Sequence, residues 1–131
     1  MSENPAQKAN PTSNFTPKRI DKPWGHEIVW AHTKDYVGKI LFVKKGESLS
    51  LQYHKIKEET LFIETGECII ETGPDAEHLK PLHFSHGGIF HVAPNCLHRI
   101  IAVTDCRLFE VSTPQLDDVV RLKDQYGRQG K

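Results

Sequence analysis

Gly46-Glu-Ser-Leu-Ser-Leu-Gln52-Tyr-His54-Lys-Ile-Lys-Glu-Glu59, closed by Gly66, is the stretch whose reading decides the fold. Side chains alternate across a strand, so residues i and i+2 share a face. If Ser48 to His54 is extended, Gln52 and His54 lie on one face with Ser48 and Ser50, and Leu49, Leu51 and Tyr53 take the other. If Glu59 to Thr65 is the next strand, Glu59, Leu61 and Ile63 share a face, and Lys57 joins them where the chain is already extended. The turn between is short enough to return Glu59 beside His54. A later segment, Ala93-Pro-Asn95-Cys-Leu-His98, supplies one more imidazole. Gln52, His54, Glu59 and His98 together read as four ligands for one divalent metal. Amide, imidazole and carboxylate donors suit zinc, manganese, iron, nickel or cobalt.

Strand signals continue on both sides of that stretch. They cover His26–Trp30, Val37–Val43, Leu49–Tyr53, Glu59–Thr65, Glu67–Glu71, Gly88–Val92, His98–Val103 and Arg107–Ser112. Gly46, Gly66, Gly73-Pro74, Gly87-Gly88 and Pro94-Asn95 punctuate them as turns, and Asn95 suits a backbone of positive φ. Many short strands at even spacing make an all-β sandwich or barrel. Leu116 to Asp124 is expected to form a short C-terminal helix, with Asp117, Asp118 and Arg121 as its cap and surface pairing. Residues 1–17 are rich in Asn, Pro, Ser, Thr and Lys and read as a flexible tail, leaving 18–131 as a single domain. The Ser48–His54 polar stripe suits a wet cavity inside a barrel. The opposite stripe, Leu49, Leu51 and Tyr53, would then face outward, to be covered by the N-terminal strands of the same chain or by a second copy, and a homodimer is expected.

The 131 residues hold 17 Lys plus Arg and 17 Asp plus Glu. A net charge near zero argues against general nucleic-acid binding, which needs a basic face. No apolar stretch is long enough to cross a membrane as a helix, and the start lacks the pattern of a signal peptide. Cys68, Cys96 and Cys106 are odd in number, far apart and without a CxxC, so neither a disulfide framework nor a zinc ribbon is indicated. A reducing cytoplasm is the simplest location. His26, His32, His78, His83, His86 and His91 lack a comparable frame and are read as structural.

The two segments resemble the motifs of the cupin superfamily, G-x5-H-x-H-x(3,4)-E-x6-G and G-x5-P-x-G-x2-H-x3-N. Gly46, Gln52, His54, Glu59 and Gly66 fit the first, with Gln52 in place of its first His. Gly87 and His98 fit the second, with Ala93, Asn95 and Ala102 replacing its Pro, Gly and Asn. Further matches follow in order: Lys22-Pro-Trp-Gly25, His98-Arg99, Phe109-Glu-Val111, Leu116-Asp-Asp-Val-Val-Arg121 and Asp124-Gln-Tyr-Gly-Arg128. Over about residues 18 to 128 this order resembles the mannose-6-phosphate isomerase domain of type II phosphomannose isomerases, among which Gln at the first ligand position is typical. The chain departs from that family around the metal Glu. Lys57-Glu58-Glu59-Thr60-Leu61 stands where Arg-Ala-Glu-His-Trp is common, so a cation remains at Lys57 without the bidentate fork of Arg.

The resemblance implies a cupin jelly-roll barrel, a double-stranded β-helix, with a divalent metal, zinc first, and a sugar or sugar-phosphate ligand. It implies isomerisation of the mannose 6-phosphate/fructose 6-phosphate type through an enediolate. Which residue is the base stays open: facing the cavity beside Glu59, Lys57 is a candidate, its pKa depressed by burial and the metal, and the other reading is a solvated turn lysine. Lys39 and Glu110 match family positions and are expected to hold phosphate or hydroxyls and to act as acid or base. Arg99 alternates away from His98 and is read as a salt-bridge residue. Two other readings accompany this one: a metal-dependent dioxygenase or decarboxylase, which Gln52 disfavours, and a non-catalytic sugar-binding cupin, which the lost Arg, His and Trp favour.

Overall fold

The computed structural model describes residues 15–129. Eleven strands occur among them: β1 (Lys18–Lys22), β2 (Gly25–His32), β3 (Val37–Val43), β4 (Leu51–Tyr53), β5 (Glu59–Thr65), β6 (Cys68–Gly73), β7 (Lys80–Phe84), β8 (Ile89–Val92), β9 (Leu97–Ala102), β10 (Cys106–Ser112) and β11 (Val120–Lys123). They build a six-stranded sheet in the order β1-β2-β3-β10-β5-β8 and a five-stranded sheet in the order β11-β4-β9-β6-β7. Every pairing is antiparallel. This is the all-β jelly-roll architecture expected of a cupin. The proposed tail lies outside the described residues as far as residue 14.

Register fixes what each strand sends inward, because a side-chain period of two lets one register serve one face. Leu108 stands opposite Leu41 and Ile63, and Ile100 opposite Ile70. These residues, with Trp24, Val43, Cys68, Val92, Ala102 and Cys106, fill one end of the interior as a continuous apolar core. Two to four residues further along the same strands the inward positions become polar: Lys39 on β3, Glu110 on β10, Glu59 on β5 and His98 on β9, all buried. The barrel interior is therefore divided along its axis. The apolar end holds the sheets together and the polar end is left for ligands.

Two turns depend on backbone conformations that few residues adopt. Gly66 has φ of +88°, and a Cβ built on it would lie 2.2 Å from the Asp105 carbonyl oxygen. Asn95, at φ 67°, takes the left-handed conformation for which its type is suited.

Three expectations need correction. Among the described residues there is no helix, and the segment expected to be helical ends in β11, which pairs with β4. Asp118 cannot serve as a helix cap, because its carboxylate accepts the backbone N–H groups of Lys55, Ile56 and Lys57. The β-branched Val119 and Val120 then lead into an extended segment along the edge of β4. The polar stripe also loses its first member. Ser48 lies in an isolated bridge to Ile101 and bonds Gln125, while Leu49 lines the cavity beside Ser50. Leu51 is fully buried within the single chain, so the stripe from which a dimer was argued is already covered. The exposed apolar residues lie instead on the outer face of the larger sheet, where Trp30, Phe109, Val111 and Ile89 are exposed and Phe62 stacks on Phe109. The charged strands β1 and β7 and the edge strand β11 escaped the sequence reading.

Candidate metal centre and acid–base pair

His54, Glu59 and His98 converge at the polar end of the barrel, their ligand atoms all within 4.8 Å of one another. His54 Nε2 lies 3.0 Å and His98 Nε2 3.5 Å from the same oxygen, Glu59 Oε1. The other nitrogen of each ring is tied to the backbone. His54 Nδ1 donates to the Asp118 carbonyl at 2.6 Å, and His98 Nδ1 donates to the Cys96 carbonyl at 2.9 Å. A carbonyl oxygen only accepts, so the proton of each neutral ring sits on Nδ1 and its Nε2 lone pair points at Glu59. Two lone pairs aimed at a carboxylate oxygen repel it unless a proton or a metal cation stands between them. Backbone acceptors that orient the far nitrogen of each imidazole are the usual support of a metal-ligating histidine. The residues present therefore fit a divalent ion.

Gln52 lies beside the cluster on the neighbouring strand. It pairs with His98 across β4 and β9 and lines the same cavity. Its Oε1 accepts a 2.7 Å bond from the buried hydroxyl of Ser50, which sets the amide's orientation. Gln52, His54, Glu59 and His98 thus face one space, from both sheets and the turn after β4. None of the six histidines read as structural joins them. His26 stacks on Phe42, His78 bonds Asp75, and His91 bonds Glu58.

Beside this cluster lies a buried ion network. Lys57 Nζ is 3.2 Å from Glu110 Oε2 and 3.6 Å from Glu59 Oε2, and Lys39 Nζ is 3.3 Å from Glu27 Oε2. Burial works against the Lys57 charge, but the Glu110 and Glu59 carboxylates outweigh it and raise its pKa. Among the protein groups alone, two carboxylates hold it as an ammonium. Burial first, and then the Glu59 charge, push Glu110 up to about 7. Burial also opposes ionisation of Glu59, yet the two histidines and the Lys57 charge hold its carboxyl well below the usual range. The two adjacent carboxyls therefore differ in their affinity for a proton. Glu110 Oε2 accepts no well-directed hydrogen bond and faces Lys57 Nζ at 3.2 Å.

The sequence reading missed two contributors. Glu27, on β2, has no motif around it and is buried only because β2 packs its inward face over β3. Asp118 was assigned to a helix and instead binds the His54–Lys57 turn through its carboxylate while its carbonyl orients His54. Arg99 behaves as expected, bonding Glu71 on the neighbouring strand at 2.7 Å, away from the cavity.

Solved structures share this architecture. KdgF from Halomonas sp. superposes with a TM-score of 0.67 at 18% identity, over 76% of this chain and 90% of that one. An oxalate decarboxylase, OxdC of Bacillus subtilis (the S161A mutant), gives 0.68 at 15%, over 80% of this chain. The capsular polysaccharide assembling protein CapF from Staphylococcus aureus gives 0.69 at 14%, over 84% of this chain. The matched part spans 30% of the decarboxylase and 35% of CapF, and identities this low speak for the fold alone. No curated protein matches the chain. The sequence itself matches the family described as mannose-6-phosphate isomerase C-terminal over residues 10–124, which takes in β1 to β11 and every residue of the cluster. The chain belongs to that family, and its fold is the cupin jelly roll.

Proposed function

We propose that the chain is a metal-dependent sugar-phosphate isomerase of the mannose 6-phosphate/fructose 6-phosphate type. One observation carries the reading: two histidines with Nδ1 fixed to backbone carbonyls aim their remaining nitrogens at Glu59, directly beside the buried Lys57–Glu110 pair. Gln52, His54, Glu59 and His98 would hold the ion, zinc first, with manganese, iron, nickel and cobalt suited to the same donors. Bound there, a divalent ion supplies Lewis-acid polarisation of a sugar carbonyl.

The rest belongs to the side chains. Isomerisation takes a proton from one carbon of the sugar and returns it to the next, through an enediolate. Glu110, with a pKa pushed up to about 7, is matched to that exchange at neutral pH. Lys57 stays charged and donates hydrogen bonds where negative charge develops on the sugar oxygens. Lys39, held by Glu27, orients a hydroxyl.

The test is conversion of mannose 6-phosphate to fructose 6-phosphate by chelator-treated protein, before and after each metal is restored, with His54→Ala alongside. Turnover that returns with metal and is absent from the variant supports the reading. No turnover with any metal, in protein that binds metal through His54, sinks it. We propose a homodimer and a cytoplasmic location as part of the same reading. The outer face of the larger sheet offers Trp30, Phe109 and Val111 to a second copy, and the three cysteines are unpaired. Sedimentation at the mass of one chain would remove the dimer.

A further inference from the structure

The cavity wall carries more positive charge than the proton transfer uses. Five cations line it, Lys22, Lys39, Lys57, Arg121 and Arg128, against three carboxylates, Glu27, Glu59 and Glu110. The cations sort by depth. The Lys57 and Lys39 side chains are 6% and 10% exposed and sit against carboxylates at 3.2 to 3.3 Å. Lys22 is 27% and Arg128 22% exposed, and the nearest carboxylate to Lys22 is Glu27 at 3.9 Å. Lys22 comes from β1, the edge of the larger sheet, and Arg121 from β11, the edge of the smaller one. Arg128 follows β11 and is clamped by the buried Asp124, whose carboxylate takes Nε at 2.8 Å and an Nη at 3.0 Å. The clamp engages two of the five guanidinium N–H donors and fixes the plane of the group. The three cations are near enough to feel one another. Burial first, and then the charges of Lys39, Arg121 and Arg128, lower the Lys22 pKa against the pull of Glu27. Gathering like charges opposes folding, and an anion in their midst reverses the sign of that cost.

Space points the same way. The cavity at the cluster has a volume of about 90 Å³, well below the roughly 300 Å³ at which sites for whole small molecules begin. A second cavity of about 500 Å³ shares Lys22, Glu27, Lys39 and Leu116 with it. A ligand whose reacting carbons reach Glu59 and Glu110 must leave its remainder at and beyond Lys22.

We propose that Lys22, Arg121 and Arg128 form a collar at the mouth of the cavity that binds the phosphate monoester of the ligand. The collar holds the anion outward while the reacting end enters the 90 Å³ cavity. The grip on phosphate thus moves from Lys39, which Glu27 occupies, to the two sheet edges. The inference deepens the proposed function and rests on it for the identity of the reacting end.

The experiment measures equilibrium binding by calorimetry on full-length, chelator-treated protein, with mannose 6-phosphate, inorganic phosphate and mannose as ligands. Mannose 6-phosphate should bind at least tenfold more tightly than mannose, and inorganic phosphate should compete with it. Lys22→Gln and Arg121→Gln should each weaken mannose 6-phosphate about tenfold, the effect of one lost charge-assisted hydrogen bond. Lys80→Gln, an exposed lysine on β7, should change nothing. Thermal melts confirm that each variant is folded. Equal affinity for mannose and its phosphate, or wild-type affinity in both collar variants, overturns the collar. With metal restored, collar-dependent phosphate binding without turnover overturns the isomerase instead, and turnover with KM unchanged in both variants overturns the collar alone.

Discussion

Asp118 ties the segment before β11 to the metal-ligand turn, and Asp118→Ala cuts that tie. Its carboxylate accepts the N–H groups of Lys55 at 3.1 Å, Ile56 at 2.7 Å and Lys57 at 2.8 Å. The first two N–H groups are exposed and water replaces the lost acceptor, whereas the partly buried Lys57 N–H is left wanting a partner, at a cost of about 1–3 kcal/mol. An independent route to the magnitude is the proton. Those three bonds hold the Asp118 pKa at about 2 against an ordinary 3.8. Such a depression stabilises the fold by at most about 2.4 kcal/mol at neutral pH, and solvent around a half-exposed group reduces this to roughly 1 kcal/mol. The two routes agree on about 1–2 kcal/mol. The sign follows from the lowered pKa: the stabilisation is complete above pH 3.8 and is lost as pH falls through 2. Urea denaturation of both proteins at steps from pH 7 to pH 2.5 measures the gap. Because the Asp118 carbonyl also receives the His54 Nδ1–H, loosening this segment should weaken metal affinity by about tenfold, read by competition with a chromophoric chelator. A variant as stable as wild type at pH 7, or a stability gap that stays constant down to pH 2.5, would refute this account.

Three further outcomes follow from the same structure. Glu110 has its pKa raised from 4.5 to about 7, so the fold is favoured below pH 4.5, loses stability as pH rises toward 7, and bears the full cost above. Glu110→Gln should therefore be more stable than wild type at pH 8, by about 1–3 kcal/mol, and should lose this advantage by pH 5, as denaturation in chelator will show. Gly66→Ala places a methyl group 2.2 Å from the Asp105 carbonyl oxygen at a φ of +88° and should cost about 2 kcal/mol or more, seen as a lower urea midpoint; a midpoint unchanged would refute the strain. Burial pushes the Cys68 thiol up to about 12, so iodoacetamide at pH 8 should label the half-buried Cys96 first and leave Cys68 unmodified until the protein unfolds, a difference that peptide mass mapping resolves.

The legible parts of this molecule are those in which one strand carries its own message. Val37–Val43 and Glu59–Thr65 appear in the structure with the bounds that alternation gives them, because most of their inward residues are apolar and their neighbours are turns. His54, Glu59 and His98 could be brought together on paper since Gln-x-His fixes two residues on one face and a short turn limits where the carboxylate goes. What failed were features decided by partners distant in sequence. β1 carries Lys18, Arg19, Asp21 and Lys22 in five residues, and it is a strand only because β2 offers an edge to pair with. β11 has a helical composition, but the Asp118 carboxylate is taken by a turn 61 to 63 residues earlier. Leu51 was assigned to an exposed stripe because alternation gives the face of a residue and not what covers it. The Glu110 partner of Lys57 was hidden for a similar reason, since local sequence shows Glu59 but not Glu110, which β10 brings to 3.2 Å.

Stability gives no reason for the polar end of this barrel. Lys39, Lys57, Glu27, Glu59 and Glu110 are each less than 9% exposed. Taking such ions out of water costs several kcal/mol apiece, and well-packed apolar side chains in their place are commonly neutral or stabilising. The apolar end of the same strands shows that these backbones accept such residues, since Leu41, Ile63 and Leu108 sit two to four positions away on β3, β5 and β10. A domain that only gripped a sugar would need donors and acceptors at the wall. It would gain nothing from a carboxyl pushed up to about 7 beside one held well below its usual range. That separation is useful where a proton changes hands at neutral pH. Catalysis is thus the reading under which the cost of this polar layer has a return, and Glu110→Gln separates it from binding alone. A variant that binds mannose 6-phosphate like wild type, folds more firmly at pH 8 and has lost turnover is the pattern expected of a proton carrier. Retained turnover would return Glu110 to a structural role.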